Sequence, residues 1–557
     1  MRKIVPFVTI LALLAFFAFF LFLPVYTVIE EGVKWELVKE VFRNAVYVEG
    51  LVNSLKIACV TTIFVFCIAF PLAIFTDSYE FPGKSICPAL MMLPMILPPF
   101  VGALGFQQIL GHYGVLNTLL VKMGFARIDF LGGEGIFWSV CAIEALHLYP
   151  ILYLNLVTAL GNLDPSLTES ARNLGAGKWT ILRKITLPML KPGILAGGSL
   201  VLIWSFTELG TPLMFGYSRT TAVQIFNGIT QITMNPIPYT LVTIMLCASL
   251  IMYGAARLLL KSQGNSGTGS TKGSLNAAAR EAKGWKKLAI PGAFLVVTFL
   301  AVAPHIALVL TAFSRNWNGT ILPENFTLLH FENALSHKYV VPGILNSLKY
   351  SSLAMLFALV IGILISLIVT RWRVRGGSIL DFLAMTPLAI PGIVVAFGFL
   401  GMSVKYAWAH EFFNPVDNPL LLLAVAYAVR RLPYVVRAVT SGLEQIPEEL
   451  ENAARNLGEG PFGTFRKIVL PLIAANVMVG GLFAFSFSML EVSDSLILAQ
   501  KAQYFPITRT LLELSLILGS GPTTACAFGV WTMAFMAATL FAASLILGKK
   551  VGSIFRL

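Results

Sequence analysis

Charge is scarce in this chain. Lys, Arg, Asp and Glu supply 12% of the 557 residues and apolar residues 57%, whereas a water-soluble domain carries about a quarter of its residues as charges. A soluble globule is excluded. Cysteine is scarce as well: Cys59, Cys67, Cys87, Cys141, Cys247 and Cys526 have no CxxC spacing. They give neither a disulfide framework nor a zinc site, only small soft packing groups. His-Glu-x-x-His is missing, so a membrane-embedded metalloenzyme has no centre, although Glu144 and His147 stand at helical spacing. A nucleotide-binding loop is missing too. The stretch 78–85 ends in Gly-Lys-Ser but lacks the leading Gly and a preceding strand. The short alternating segments of a β-barrel are also absent.

What the chain has in abundance is long apolar runs, with a mean hydropathy of +0.80. Twelve are long enough to cross a bilayer as helix: 4–29, 51–75, 86–110, 136–160, 192–217, 236–260, 288–313, 345–370, 379–404, 419–439, 472–499 and 522–547. Pro94, Pro98, Pro99, Pro387 and Pro391 lie inside two of them, which a helix tolerates where neighbours re-satisfy its backbone. The first run follows Met1-Arg2-Lys3 but is too long for a signal peptide and has no cleavage site, so it reads as a retained helix. This predicts an all-α polytopic protein.

Basic residues set the orientation. With the N-terminus in the cytoplasm, about 25 of the 40 Lys and Arg fall inside, among them Arg371, Arg373, Arg375, Lys549 and Lys550. Both termini are then cytoplasmic. The net charge of +13 is a topology signal with some attraction to anionic membrane lipid, and it calls for no nucleic acid.

The chain also repeats itself. ESARNLGAGKWTILRKITLP begins at Glu169 and NAARNLGEGPFGTFRKIVLP at Asn452, an offset of 455 − 172 = 283 between Arg172 and Arg455. Pro150 and Pro433, and Glu208 and Glu491, keep that offset, and Asn-Ser-Leu-Lys occurs at 53–56 and 346–349. Two six-span halves in the same orientation make a parallel repeat. The expected boundaries are 1–260 and 288–557, joined by a cytoplasmic Gly/Ser-rich tether at 261–287. The repeated loops occupy 164–191 and 444–474.

Each loop reads as a short helix, 167–174 in the first copy, stopped at Gly175 and Gly177. A second short helix, 179–185, puts Ile181 and Ile185 on one face beside Arg183 and Lys184, and Pro188 opens the fifth span. Such a projection suits docking in a groove of another protein. Topology needs charge at this place but not a fixed Gly.

Both copies resemble the EAA loop of type I ABC importer permeases. The resemblance covers nearly the whole chain and implies that family's fold, with two separate cytoplasmic ATPases, one per loop, which bind ATP and Mg. It also implies an extracellular or periplasmic substrate-binding protein, alternating access and residence in the bacterial cytoplasmic membrane. Glu169, Ala171, Arg172 and Gly175, with Glu451, Asn452, Ala454, Arg455 and Gly458, become the expected ATPase-coupling residues. Asn452 departs from the family's Glu, with Glu451 adjacent.

Ionisable residues inside the spans are pathway candidates because charge in hydrocarbon is costly. They are Glu144, His147, Glu208, His305, Asp381, Arg430, Arg431, Glu491 and Asp494. Glu208 and Glu491 occupy matching places in the two fifth spans. Facing one another they would favour a hard cation; otherwise each is hydrogen-bonded between helices or paired with Arg430 or Arg431. His147 aligns with Arg430 and reads as a gate or pairing residue. No permanent metal site is expected. Fusion of both halves in one chain resembles ferric-iron permeases, with thiamine, 2-aminoethylphosphonate and polyamine permeases as the alternatives. An ion-coupled secondary transporter shares the two-half plan but leaves the repeated loops without a role.

Overall fold

The computed structural model describes the chain apart from residues 1–3, 98, 230–234, 262–279, 373, 375 and 548–557. Most of the expected tether, together with Arg373, Arg375, Lys549 and Lys550, therefore lies outside the described residues.

Helix occupies every one of the twelve apolar runs, numbered here in chain order as spans 1 to 12. Eight are long apolar helices: Phe7–Gly32 (span 1), Ala45–Ser78 (2), Gly135–Gly161 (4), Lys178–Met214 (5), Ile237–Leu260 (6), Lys286–Phe313 (7), Val340–Trp372 (8) and Pro461–Met489 (11). Two are bent pairs, Cys87–Met95 with Pro99–Lys122 (3) and Gly377–Leu388 with Gly392–Lys405 (9), the latter by 100°. Proline explains the second bend, since Pro391 lacks the N–H that would carry the helix through. The remaining two, Leu420–Glu444 (10) and Gly521–Leu547 (12), of 25 and 27 residues, fall outside the eight to ten helices that are both long and apolar enough to cross a membrane among the described residues, against the twelve expected. At 1.5 Å per residue each exceeds the roughly 30 Å of a hydrocarbon core.

The repeat governs the packing. Spans 2, 4 and 5 bundle together, as do 8, 10 and 11. The halves then exchange their bent spans. Pro99–Leu110 of span 3 packs on spans 7 and 12, and Gly392–Lys405 of span 9 packs on spans 1 and 6. Both contacts rest on the same device. A Cβ on Gly105 would lie 1.7 Å from the Pro304 carbonyl oxygen, and one on Gly398 would lie 2.7 Å from that of Pro24. Backbone cannot retreat as a side chain can, so only glycine fits. Gly105→Ala is expected to lower stability by about 1–3 kcal/mol or more and Gly398→Ala by less, read from thermal unfolding in detergent; equal melting of both variants and the parent would refute the contact.

Asn-Ser-Leu-Lys sits inside spans 2 and 8, which begin at Ala45 and Val340. It acts as a clip. Ser54 Oγ accepts from the Thr221 N–H at 3.0 Å and Ser347 Oγ from the Ile507 N–H at 2.8 Å. Asn53 donates to the Arg219 carbonyl at 3.2 Å, and Asn346 donates to those of Gln503 at 2.8 Å and Phe505 at 3.3 Å. These bonds hold the chain that returns after each fifth span. Among the described residues a two-residue parallel strand pair, Tyr79–Glu80 with Arg280–Glu281, and an isolated bridge between Ser314 and Phe326 interrupt the helical fold. The strand pair incorporates part of the stretch 78–85, whose Lys84 is engaged by Glu80 at 2.8 Å. The loop 111–135 contains a helix, Val115–Lys122.

Candidate functional site: two loops and a buried charge cluster

The first loop begins at Asp164, whose side chain accepts the Ser166 N–H at 2.9 Å and so caps the helix Pro165–Asn173. Hydrogen bonds from the Ser166 backbone and side chain hold the Asp164 carboxyl below the usual carboxylate range. The helix stops at Gly175, at φ +83°. There the Gly175 N–H donates to the Arg172 carbonyl and the Ala176 N–H to that of Ala171, both at 2.9 Å. The second loop repeats this after Glu448–Asn456. Gly458 has φ +90°, its N–H donates to the Arg455 carbonyl at 3.0 Å, and the Glu459 N–H donates to Ala454 at 3.1 Å. This paired closure satisfies the last carbonyls and requires a left-handed residue, which is why glycine recurs.

A tight stop throws the preceding side chain outward. Leu174 is 88% exposed and Leu457 89%; four residues after each glycine, Trp179 is 72% exposed and Phe462 76%. Large apolar groups this bare stand at the same place in both copies, and exposed apolar groups of this kind are what interaction surfaces are made of. The helical spacing of the sequence puts the apolar edge at Ile181 and Ile185 instead. Ile181 is buried against its own chain. The expected separate second helix is likewise absent: Lys178–Ile181 runs through a wide π-helical turn, Leu182–Thr186, directly into Leu187–Phe206. Phe465–Val469 does the same before Leu470–Met489. Pro188 and Pro471 explain the wide turns, since a proline ring does not fit the regular ladder. Each loop is therefore the foot of a rod about 40 Å long, ending near Glu208 or Glu491.

Of the expected coupling residues, Glu169, Arg172, Asn452 and Arg455 are exposed, with Ala171 and Ala454 half-buried behind them. Glu451 is not available to a partner. Its side chain is 8% exposed and bound to Arg371.

The carboxylates at the far ends of the rods are held by different partners. Both oxygens of Glu491 are engaged, one by Arg430 and one by Arg431. Arg431 also donates to the Phe487 carbonyl at 3.1 Å, and Arg430 lies 3.6 Å from Asp494. Glu491 and Asp494 side chains are 5% and 0% exposed, so this is a buried two-plus-two cluster of balanced charge, the arrangement in which buried ions are tolerated. Glu208 instead accepts the N–H groups of Gly210 at 3.0 Å and Thr211 at 3.3 Å, capping the short helix Gly210–Met214. The segments that follow the two rods approach each other here: a Cβ on Gly210 would stand 3.5 Å from Val492. Buried Glu144 accepts the Ser205 hydroxyl, tying span 4 to span 5. His147 hydrogen-bonds the Pro94 backbone, and Asp381 is 3.8 Å from Arg437. Among the described residues no group of three His, Cys, Asp or Glu could hold a metal ion.

Similarity to known proteins agrees with this geometry. A ferric transport system permease of Haemophilus influenzae, FbpB 1, provisionally so named, is 27% identical over 81% of this chain and 69% of its own. The ferric transport system permease FbpB of Actinobacillus pleuropneumoniae is 26% identical over 81% of this chain and 64% of its own. The chain thus spans about two thirds of the length of these relatives. A solved bacterial ABC transporter that imports the acidic polysaccharide alginate aligns over 47% of this chain and 96% of its own, at 18% identity and a TM-score of 0.40. Residues 4–263 and 358–549 match the family described as the binding-protein-dependent transport system inner membrane component. With matching segments in both halves, each carrying its loop or its spans, the chain belongs to that family.

Proposed function

We propose that the chain is the permease of an ATP-driven importer of ferric iron, powered by two copies of a separate cytoplasmic ATPase and fed by an extracellular or periplasmic binding protein. The observation that carries this reading is the duplicated tip, Leu174 with Trp179 and Leu457 with Phe462, bare on both loops. ATP and Mg belong to the partner ATPases. Iron is cargo, and its support is the named function of the two relatives rather than a pair of facing carboxylates.

Closure of the ATPases on ATP would press both loops at once. Because the part of each loop after its glycine stop, from Lys178 or Pro461, continues without a break into its fifth-span rod, the push reaches the Glu208 and Glu491 ends directly, and the exchanged bent spans let one half rock on the other. Cargo passes between the halves. Leu174→Ser combined with Leu457→Ser is expected to weaken ATPase association about tenfold or more, as loss of exposed apolar anchors does at interfaces; unchanged co-purification would remove the tips from the contact.

A mild-detergent pull-down of the tagged chain, with mass spectrometry of its partners and of any bound metal or small molecule, tests the reading. An ATPase with an iron-loaded binding protein supports it. An ATPase with a thiamine-, polyamine- or phosphonate-loaded partner keeps the machine and overturns the cargo.

A further inference from the structure

The two loops are attached to the membrane bundle by different means. At the foot of span 8, Arg371 donates from Nε to Glu451 at 2.5 Å and from Nη2 to the carbonyls of Leu443 and Ile446, both at 2.9 Å. Leu443 lies in the last turn of span 10 and Ile446 just beyond it, and Glu451 lies in the first turns of the second loop helix, where Arg455 also reaches it at 3.5 Å. One buried guanidinium thus ties three elements together. Among the described residues, no ion pair ties the first loop to its spans in this way. At the offset 346 − 53 = 293 that relates spans 2 and 8, Arg371 corresponds to Ser78, and at 283 Glu451 corresponds to Thr168. Neither residue can form a guanidinium–carboxylate pair. Since the first copy folds its loop without one, the second carries a costly buried ion pair that closure of the loop does not itself require.

We propose that Arg371 is a positioning residue that welds the second loop to spans 8 and 10, making that loop a rigid lever and leaving the first loop compliant. The two copies then transmit force unequally, with the second dominant although it has lost the family's Glu at Asn452.

Hydrogen exchange on the full chain in nanodiscs tests the weld without any partner. In the parent, the helix 448–456 should exchange about tenfold more slowly than 165–173, and Arg371→Gln or Glu451→Gln should erase that difference, the double variant adding nothing further. Equal exchange in the parent, or protection that survives both variants, overturns the proposal. The second readout rests on the importer reading above. With ATPase and cargo present, Arg371→Gln should keep ATP hydrolysis while cargo moved per ATP falls about tenfold, and Ser78→Ala should leave that ratio unchanged. A parallel fall in hydrolysis and transport would mark a merely structural residue and overturn it. Should Arg371→Gln not insert, Arg371→Lys keeps the charge without the fork and is expected to give intermediate exchange; parental exchange in that variant overturns the weld.

Discussion

Gly175→Asp and Gly458→Asp should each yield a folded, inserted chain whose transport falls about a hundredfold, the loss expected when a central anchor of an interface is spoiled. Folding survives because a Cβ at either position meets nothing within 4 Å. The closing hydrogen bonds are all backbone, so they persist. Asp is one of the few residues that visits the left-handed region, at a cost of roughly 1–2 kcal/mol confined to one turn. The damage is on the surface: a carboxylate now stands beside Leu174 or Leu457, where the partner would bury an apolar side chain. Under the unequal attachment described above, Gly458→Asp should be the more severe. Uptake assays paired with ATPase co-elution distinguish the outcomes, and a variant that binds the ATPase and transports at the parental rate would remove the loops from coupling.

Glu491→Gln should behave quite differently from Glu208→Gln. Removing the Glu491 charge leaves Arg430 and Arg431 with Asp494 as their buried counter-ion, and breaking a buried ion network from one side costs about 3–5 kcal/mol. Glu208→Gln keeps an oxygen able to accept from Gly210 and Thr211, so its cost should be about 1 kcal/mol. Pairing Glu491→Gln with Arg431→Gln removes one charge of each sign and should recover part of the loss. The melting temperatures of the detergent-purified variants decide the matter. If Glu491→Gln melts with the parent, the cluster does not hold the second half together.

The spans, the repeat and the two loop stops were legible in the sequence because each follows from local signals: unbroken apolar runs, a constant 283-residue offset, and glycine where only glycine closes the helix. The bare Leu174 and Leu457 were also within reach, since both copies read Asn-Leu-Gly and the residue before a left-handed stop is thrown outward. The aromatic pair Trp179 and Phe462 shared the same offset. What the sequence hid is what depends on neighbouring helices. Glu451 reads as a partner-facing acid until Arg371, 80 residues away, is brought to it. Glu208 and Glu491 align perfectly, yet one caps a helix and the other is held by two arginines, because Arg430 has replaced the first half's His147 and Arg431 its Leu148. Fused duplicates keep their fold while their charges diverge.

Uptake of radiolabelled ferric iron into proteoliposomes holding the chain, its co-purified ATPase and an iron-loaded binding protein tests the central claim most directly. The account predicts accumulation that requires ATP, persists without any ion gradient and is lost when Gly175→Asp and Gly458→Asp are combined. Accumulation that continues without the ATPase and collapses with the proton or sodium gradient would contradict it.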